Sequence, residues 1–272
     1  MYSPDDSILS RIALGERTEE GLWLSKTIAD ISFAHRFGVL KTSEGSRYLV
    51  VSTLKTVHHF EGDWDSPGKF LVAKLPSDIE DASTGLEWEM VLDGLFHNHG
   101  YCEMRDENGD YSVVSAATGI YEIHPPLKDG DSWQVKTLSY DSTSDMAFVD
   151  FDGDGKNEMI TISPFHGDTL RIYRQNDDGS YRSEFEFPKR WPFLHSIYAG
   201  EIQGKPIAII GHRGGESRDL LGISFLNGKY VTDILDKDCG SANILYYKNG
   251  EKDYLVSANR EINEVAFYEI VI

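Results

Sequence analysis

Tyr48-Leu-Val-Val-Ser52 is the first of five short apolar runs along the chain, followed by Tyr111-Ser-Val-Val-Ser115, Glu158-Met-Ile-Thr-Ile162, Pro206-Ile-Ala-Ile-Ile210 and Tyr254-Leu-Val-Ser-Ala258. Each follows a turn rich in Gly, Asn or Asp: Ser43-Glu-Gly45, Glu107-Asn-Gly-Asp110, Asp152-Gly-Asp-Gly155, Gln203-Gly-Lys205 and Lys248-Asn-Gly-Glu251. Such turns before apolar runs are hairpin signals. The unit recurs about every 50 residues, a spacing that marks a repeat architecture.

Working outward, third strands of the repeat are Lys69-Phe-Leu-Val-Ala73, Gly119-Ile-Tyr-Glu-Ile123, Thr169-Leu-Arg-Ile-Tyr173, Leu220-Leu-Gly-Ile-Ser-Phe225 and Glu264-Val-Ala-Phe-Tyr268. Outer strands Trp88-Glu-Met-Val91, Trp133-Gln-Val-Lys136, Tyr181-Arg-Ser-Glu-Phe185 and Tyr230-Val-Thr-Asp233 follow only four of these, because the sequence ends at Ile272. Leu22-Trp-Leu-Ser-Lys-Thr-Ile28 has the same character and precedes the first inner strand at the same distance. The reading is an all-β, single five-bladed β-propeller over residues 1–272, closed by the N-terminal strand completing the last blade. Closure of this kind removes an exposed sheet edge. A β-sandwich is the alternative, but it gives no reason for the fivefold period or the split last unit. Residues 1–20 are an N-terminal extension in which Ile8, Leu9 and Ile12, after Pro4 and Asp5, predict a short helix.

The chain has 45 Asp and Glu against 26 Lys and Arg, a formal charge of -19. That balance repels a phosphate backbone, and no basic patch interleaved with aromatics overrides it, so nucleic acid is excluded as a partner. No apolar run is long enough for a bilayer and no secretory leader is visible, so the expected location is cytoplasmic, with no membrane partner. Cys102 and Cys239 match no metal-ligand spacing and are too few for a disulfide framework.

In Phe148-Val-Asp150-Phe-Asp152-Gly-Asp154-Gly-Lys-Asn-Glu158, carboxylates stand at positions 1, 3, 5 and 9 of a glycine-rich turn. Oxygen ligands so spaced can converge on a hard cation such as calcium, although the acid that an EF-hand needs at position 12 is replaced by Thr161. The segment resembles the FG-GAP or VCBS repeat of integrin-like and bacterial propellers. The resemblance covers one blade and implies a structural calcium held by Asp150, Asp152, Asp154 and Glu158, with Glu158 standing where Asp is more usual.

In a blade, the start of the innermost strand and the end of the second strand lie at one end, because the two run antiparallel. Aligned repeats place His35, His99, Ser144-Asp145, His195-Ser196 and Asn243 at the first position. The second takes His58-His59, Thr118, His166, His212-Arg213 and Asn259-Arg260. Seven of the nine histidines fall there, which predicts a histidine-rich central funnel. Neutral imidazole is the commonest transition-metal ligand, so a divalent zinc or manganese ion on His35, His99 and His195 is expected. The long loop His58–Asp65 offers Trp64 for sugar stacking, and Asn243 and Arg260 complete the substrate contacts. His59, His166, His212 and Arg213 are the candidate catalytic residues, Arg213 because its guanidinium can grip a carboxylate bidentately. These residues point to a metal-assisted lyase or isomerase acting on a sugar or uronic acid, a class that some VCBS-like propellers share. The alternative is a non-catalytic propeller that binds a glycan or a protein.

Overall fold

A computed structural model of the chain describes residues 6–128 and 130–271. Twenty-one strands form six antiparallel sheets, none of which closes into a barrel, and there is no α-helix among the described residues. The chain divides into two compact units, residues 1–140 and 141–272.

The first unit opens with a hairpin, β1 (Arg11–Arg17) and β2 (Trp23–Asp30). Two four-stranded meanders follow. One comprises β3 (Ala34–Lys41), β4 (Arg47–Thr53), β5 (Gly68–Lys74) and β6 (Trp88–Leu95). The other comprises β7 (Gly100–Asp106), β8 (Gly109–Ala116), β9 (Gly119–His124) and β10 (Gln134–Ser139). Leu49 and Val51 of β4 face Ile12, Ala29 and Ile31 at the hairpin. Tyr48 and Val50, pointing the other way, join Val114 and Ile123 of the next meander. A strand alternates its side chains between two faces, so a strand covered on both reads as an unbroken apolar run. This is why Tyr48–Ser52 stands out in the sequence.

The second unit holds two more four-stranded meanders. Strands β11 (Asp145–Val149), β12 (Glu158–Ser163), β13 (Thr169–Gln175) and β14 (Tyr181–Glu186) make the first; β15 (Leu194–Ile202), β16 (Lys205–His212), β17 (Leu220–Leu226) and β18 (Lys229–Asp236) make the second. The last sheet has three strands, β19 (Ser241–Asn249), β20 (Lys252–Asn259) and β21 (Glu264–Ile270). Ile160, Ile162 and Ile172 pack on Ala208, Ile210 and Leu221. Ile209 turns the other way, toward Leu255. Burying one such side chain contributes about 1.5–3 kcal/mol, so these interleaved faces hold each unit together.

All five predicted repeats are therefore present as consecutive meanders, with every second and third strand, and the first four outer strands, where the sequence placed them. Two expectations at the N-terminus fail. Residues 22–28 do not complete the last sheet: β2 pairs with β1 from Trp23↔Arg17 to Asp30↔Arg11, and the last sheet keeps three strands. The Thr18–Leu22 turn, closed by Thr18 N–H to the Leu22 carbonyl at 2.8 Å, makes that partner local. A short loop costs less closure entropy than a partner more than 200 residues away. The predicted helix is also replaced. Asp6–Leu9 is a single 3-10 turn, and Ile12 lies in β1, 5% exposed against β4. Pro4 and Asp5 lie outside the described residues.

Candidate functional site

The inner strand of three sheets begins with the same device. Register passes from Leu194↔His212 to Ser196↔Gly211, leaving His195 unmatched in a β-bulge. It passes likewise from Ala34↔Thr53 to Arg36↔Ser52 around His35, and from Ser241↔Asn259 to Asn243↔Ala258 around Ala242. Two residues before each bulge the backbone turns left-handed, at Phe33 (φ 61°), Phe193 (φ 56°) and Gly240 (φ 62°). A bulge re-aims the side chain of its extra residue. The sequence Phe-x-His thus builds the same projecting imidazole in both units, and the third copy carries Ala242.

In the second unit, His195 Nδ1 lies 2.9 Å from the Ala242 carbonyl oxygen. A carbonyl only accepts, so Nδ1 carries the proton and the lone pair sits on Nε2. The neighbouring imidazole is His166, whose ring centroid is 5.3 Å away at 28°. The two residues offer ring nitrogens within 4.8 Å of one another. Main-chain bonds put His166 there: Gly167 N–H donates to Pro164 O at 2.8 Å, and Leu194 N–H donates to Gly167 O at 2.9 Å. The His166 N–H donates to Ser144 Oγ at 3.2 Å. Phe165 stacks on His166 at 4.0 Å, and Phe193 meets it edge-on at 4.8 Å. The pair is therefore half-buried between two aromatic rings, with one member's tautomer set from behind, as a carbonyl sets that of a metal-ligating histidine.

In the first unit His35 and His99 lie 4.7 Å apart by ring centroid, with His99 buried. Arg36 Nε donates to the His99 carbonyl at 3.3 Å and ties the two strand starts together. The expected ligand set thus draws His35 and His99 from one unit and His195 from the other.

Other expected residues have structural work. His212 is 1% exposed, donates through Nδ1 to Gly214 O at 3.2 Å and accepts from Asp219 N–H at Nε2 at 2.9 Å. Both ring nitrogens are engaged, and burial holds its pKa below the ordinary value. Arg213 stacks on Phe193 at 4.7 Å and pairs with Glu261 at 2.6 Å, its side chain 7% exposed. Both side chains, expected as catalytic, are held by these intramolecular contacts. Trp64 is half-buried in the long loop, its ring edge-on to His97 at 6.2 Å. Buried Lys55 lies 5.2 Å from the Trp64 ring, 2.9 Å from Asp63 O and 3.1 Å from His58 Nδ1. His59 is exposed and its N–H donates to Asp63 Oδ2 at 2.9 Å. Asn243 is exposed, its Oδ1 accepting from Ile244 N–H, because the bulge gives the aligned position to Ala242. Arg260 is exposed in the 3-10 turn after β20.

The acidic turn brings oxygens of Asp150, Asp152 and Glu158 within 4.8 Å of one another, close enough to hold an ion. Arg174 already reaches into it, 2.6 Å from Asp152 and 3.0 Å from Asp154. Sequence reasoning did not find Arg174, nor a cleft of about 930 Å³ in the first unit lined by Tyr48, Asp81, Trp88, Lys128 and Trp133. Trp88 and Trp133 carried only a strand signal.

No family model matches the chain, and no curated protein matches it. Among solved structures it is similar to an arginine-to-alanine triple mutant of AofleA from Arthrobotrys oligospora, with TM-score 0.50 and 10% identity over 93% of this chain and 78% of that one. It is also similar to Chaetomium thermophilum Sqt1, with TM-score 0.45 and 11% identity over 87% and 70% of the respective chains. The first likeness concerns the fold alone. No helix among the described residues is long and apolar enough to cross a membrane.

Proposed function

We propose that the chain is a metal-dependent enzyme of the lyase or isomerase type acting on a sugar or uronic-acid derivative, with a zinc or manganese ion held at the His166–His195 pair. One observation carries this reading: His195 projects from a bulge with Nδ1 on a carbonyl and its ring beside a second imidazole, each offering a ring nitrogen within 4.8 Å of the other. This reading moves His166 from base to ligand. A divalent ion so held supplies polarisation of a carbonyl or carboxylate oxygen. The chain's own part is to fix the donors, through Ala242 O and Ser144 Oγ, and to exclude water with Phe165 and Phe193. The substrate class rests on the resemblance of the 150–158 turn to FG-GAP and VCBS propellers, and on the same ground we read the five meanders as propeller blades. Metal-supplemented protein is expected to turn over a uronic acid or ketose in a screen, and His195→Ala to abolish that turnover. No turnover of any such substrate sinks the enzyme reading.

A second reading, a glycan-binding module without chemistry, has its own support. His212 and Arg213 are committed to structural partners, and the cleft carrying Trp88 and Trp133 combines aromatic faces with carboxylates. Binding of a glycan without turnover, lost in Trp88→Ala or Trp133→Ala, favours it.

A further inference from the structure

The 150–158 turn resembles a calcium loop, yet its carboxylates already have partners. Asp150 accepts from Gly153 and Asp154 N–H through Oδ1, at 2.7 and 3.2 Å, and from Gly155 N–H through Oδ2 at 2.8 Å. Asp152 Oδ1 accepts from Asp154 N–H at 3.2 Å, Asp154 Oδ1 from Lys156 N–H at 2.8 Å, and Glu158 Oε2 from Phe151 N–H at 2.8 Å. One cation faces the remaining oxygens. Arg174 donates to Asp152 Oδ2 at 2.6 Å and Asp154 Oδ2 at 3.0 Å, lies 3.4 Å from Glu158 Oε1, and donates through Nε to Glu184 Oε1 at 3.0 Å.

We infer that Arg174 takes the place of the metal ion: its guanidinium closes the acidic turn from β13, and the turn folds without calcium. Arg174 stands one residue beyond the Met159↔Tyr173 pair, opposite Glu158, and its β14 neighbour Glu184 anchors it from the far side. Three observations support the exchange. The guanidinium meets three of the four residues that would ligate calcium. Its planar fork of fixed N–H donors matches carboxylates without the six to eight oxygens that calcium requires. A divalent ion at the same oxygens would lie against a permanent positive charge. The unusual Glu158 fits the same account: its longer side chain is buried and reaches Phe151 N–H while leaving Oε1 toward Arg174. This inference does not depend on the histidine pair.

The test uses the whole chain, with calcium alone as the probe. Calorimetric titration of chelator-treated protein is expected to show no calcium binding at stoichiometric amounts, and thermal unfolding no shift between millimolar calcium and chelator. Arg174→Met in chelator is expected to lower Tm by about 4 °C or more, with Arg174→Lys falling between it and the natural protein. Stoichiometric calcium binding by the natural protein, or an Arg174→Met variant as stable in chelator as the natural protein, overturns the inference. Should Arg174→Met not fold, the calcium titration and Arg174→Lys still decide.

Discussion

His195 donates its Nδ1–H to the carbonyl of Ala242 at 2.9 Å, so the bulge that opens β15 leans on the bulge that opens β19. The contact orients an imidazole from behind and leaves Nε2 as its basic nitrogen. Nitrogen-detected NMR of metal-free protein above the imidazole pKa is expected to show His195 protonated at Nδ1. A proton on Nε2 instead would remove the basis for assigning it as a ligand.

His212 is expected to be a stability residue. Removing its side chain leaves Asp219 N–H unsatisfied in the interior and frees the half-buried Gly214 O, a loss of about 1–3 kcal/mol. Burial, the largest cause, holds its folded pKa below 6.5. The unfolded chain therefore binds the proton first, so the stability from neutral His212 is present above pH 6.5 and is lost as pH falls from there toward the folded value. Urea midpoints across this range are expected to be flatter for His212→Ala. His97, lowered by the same cause, retains a residual slope in the variant.

Arg213 and Glu261 are expected to act as a pair that holds the loop after β16. With the Arg213 side chain 7% exposed, removing either partner is expected to cost about 2 kcal/mol, and a double-mutant cycle to return coupling of about 1 kcal/mol or more. Zero coupling would show that Glu261 does not hold the Arg213 side chain in place.

Gly68 opens β5 with its α-carbon against the Thr53 carbonyl and the Asn98 side chain, and an added Cβ would collide with both. Asn98 Nδ2 bonds the same Thr53 carbonyl at 3.1 Å, so neither neighbour can yield cheaply. Gly68→Ala is expected to cost about 1–3 kcal/mol in chemical denaturation. An unchanged midpoint would show that this junction is looser than described.

The five meanders were legible because strands buried on both faces, such as Tyr48–Ser52, carry continuous apolar runs between glycine turns. The opening hairpin was not, because β2 exposes Trp23 and Leu24 and its pairing with β1 depends on a turn at Thr18–Leu22. At the candidate site the histidine-bearing strand starts were readable, but the bulges were not. A bulge shifts register by one residue, so Asn243 aligned where Ala242 stands. Contacts that depend on side-chain geometry, such as those of His212 with Gly214 and Asp219 or of Arg213 with Glu261, are recorded by no periodicity in the sequence. Arg174 reads as an ordinary strand residue until β12 and β13 pair and bring it to the acidic turn.

The central claim is that His166 and His195 hold a transition metal. Elemental analysis of untagged protein by mass spectrometry tests it most directly, comparing the natural chain with the His166→Ala, His195→Ala double variant after identical metal supplementation and desalting. Near-stoichiometric zinc or manganese in the natural protein and its loss in the variant is the predicted result. No transition metal in the natural protein, or an equal amount in both, would contradict the account.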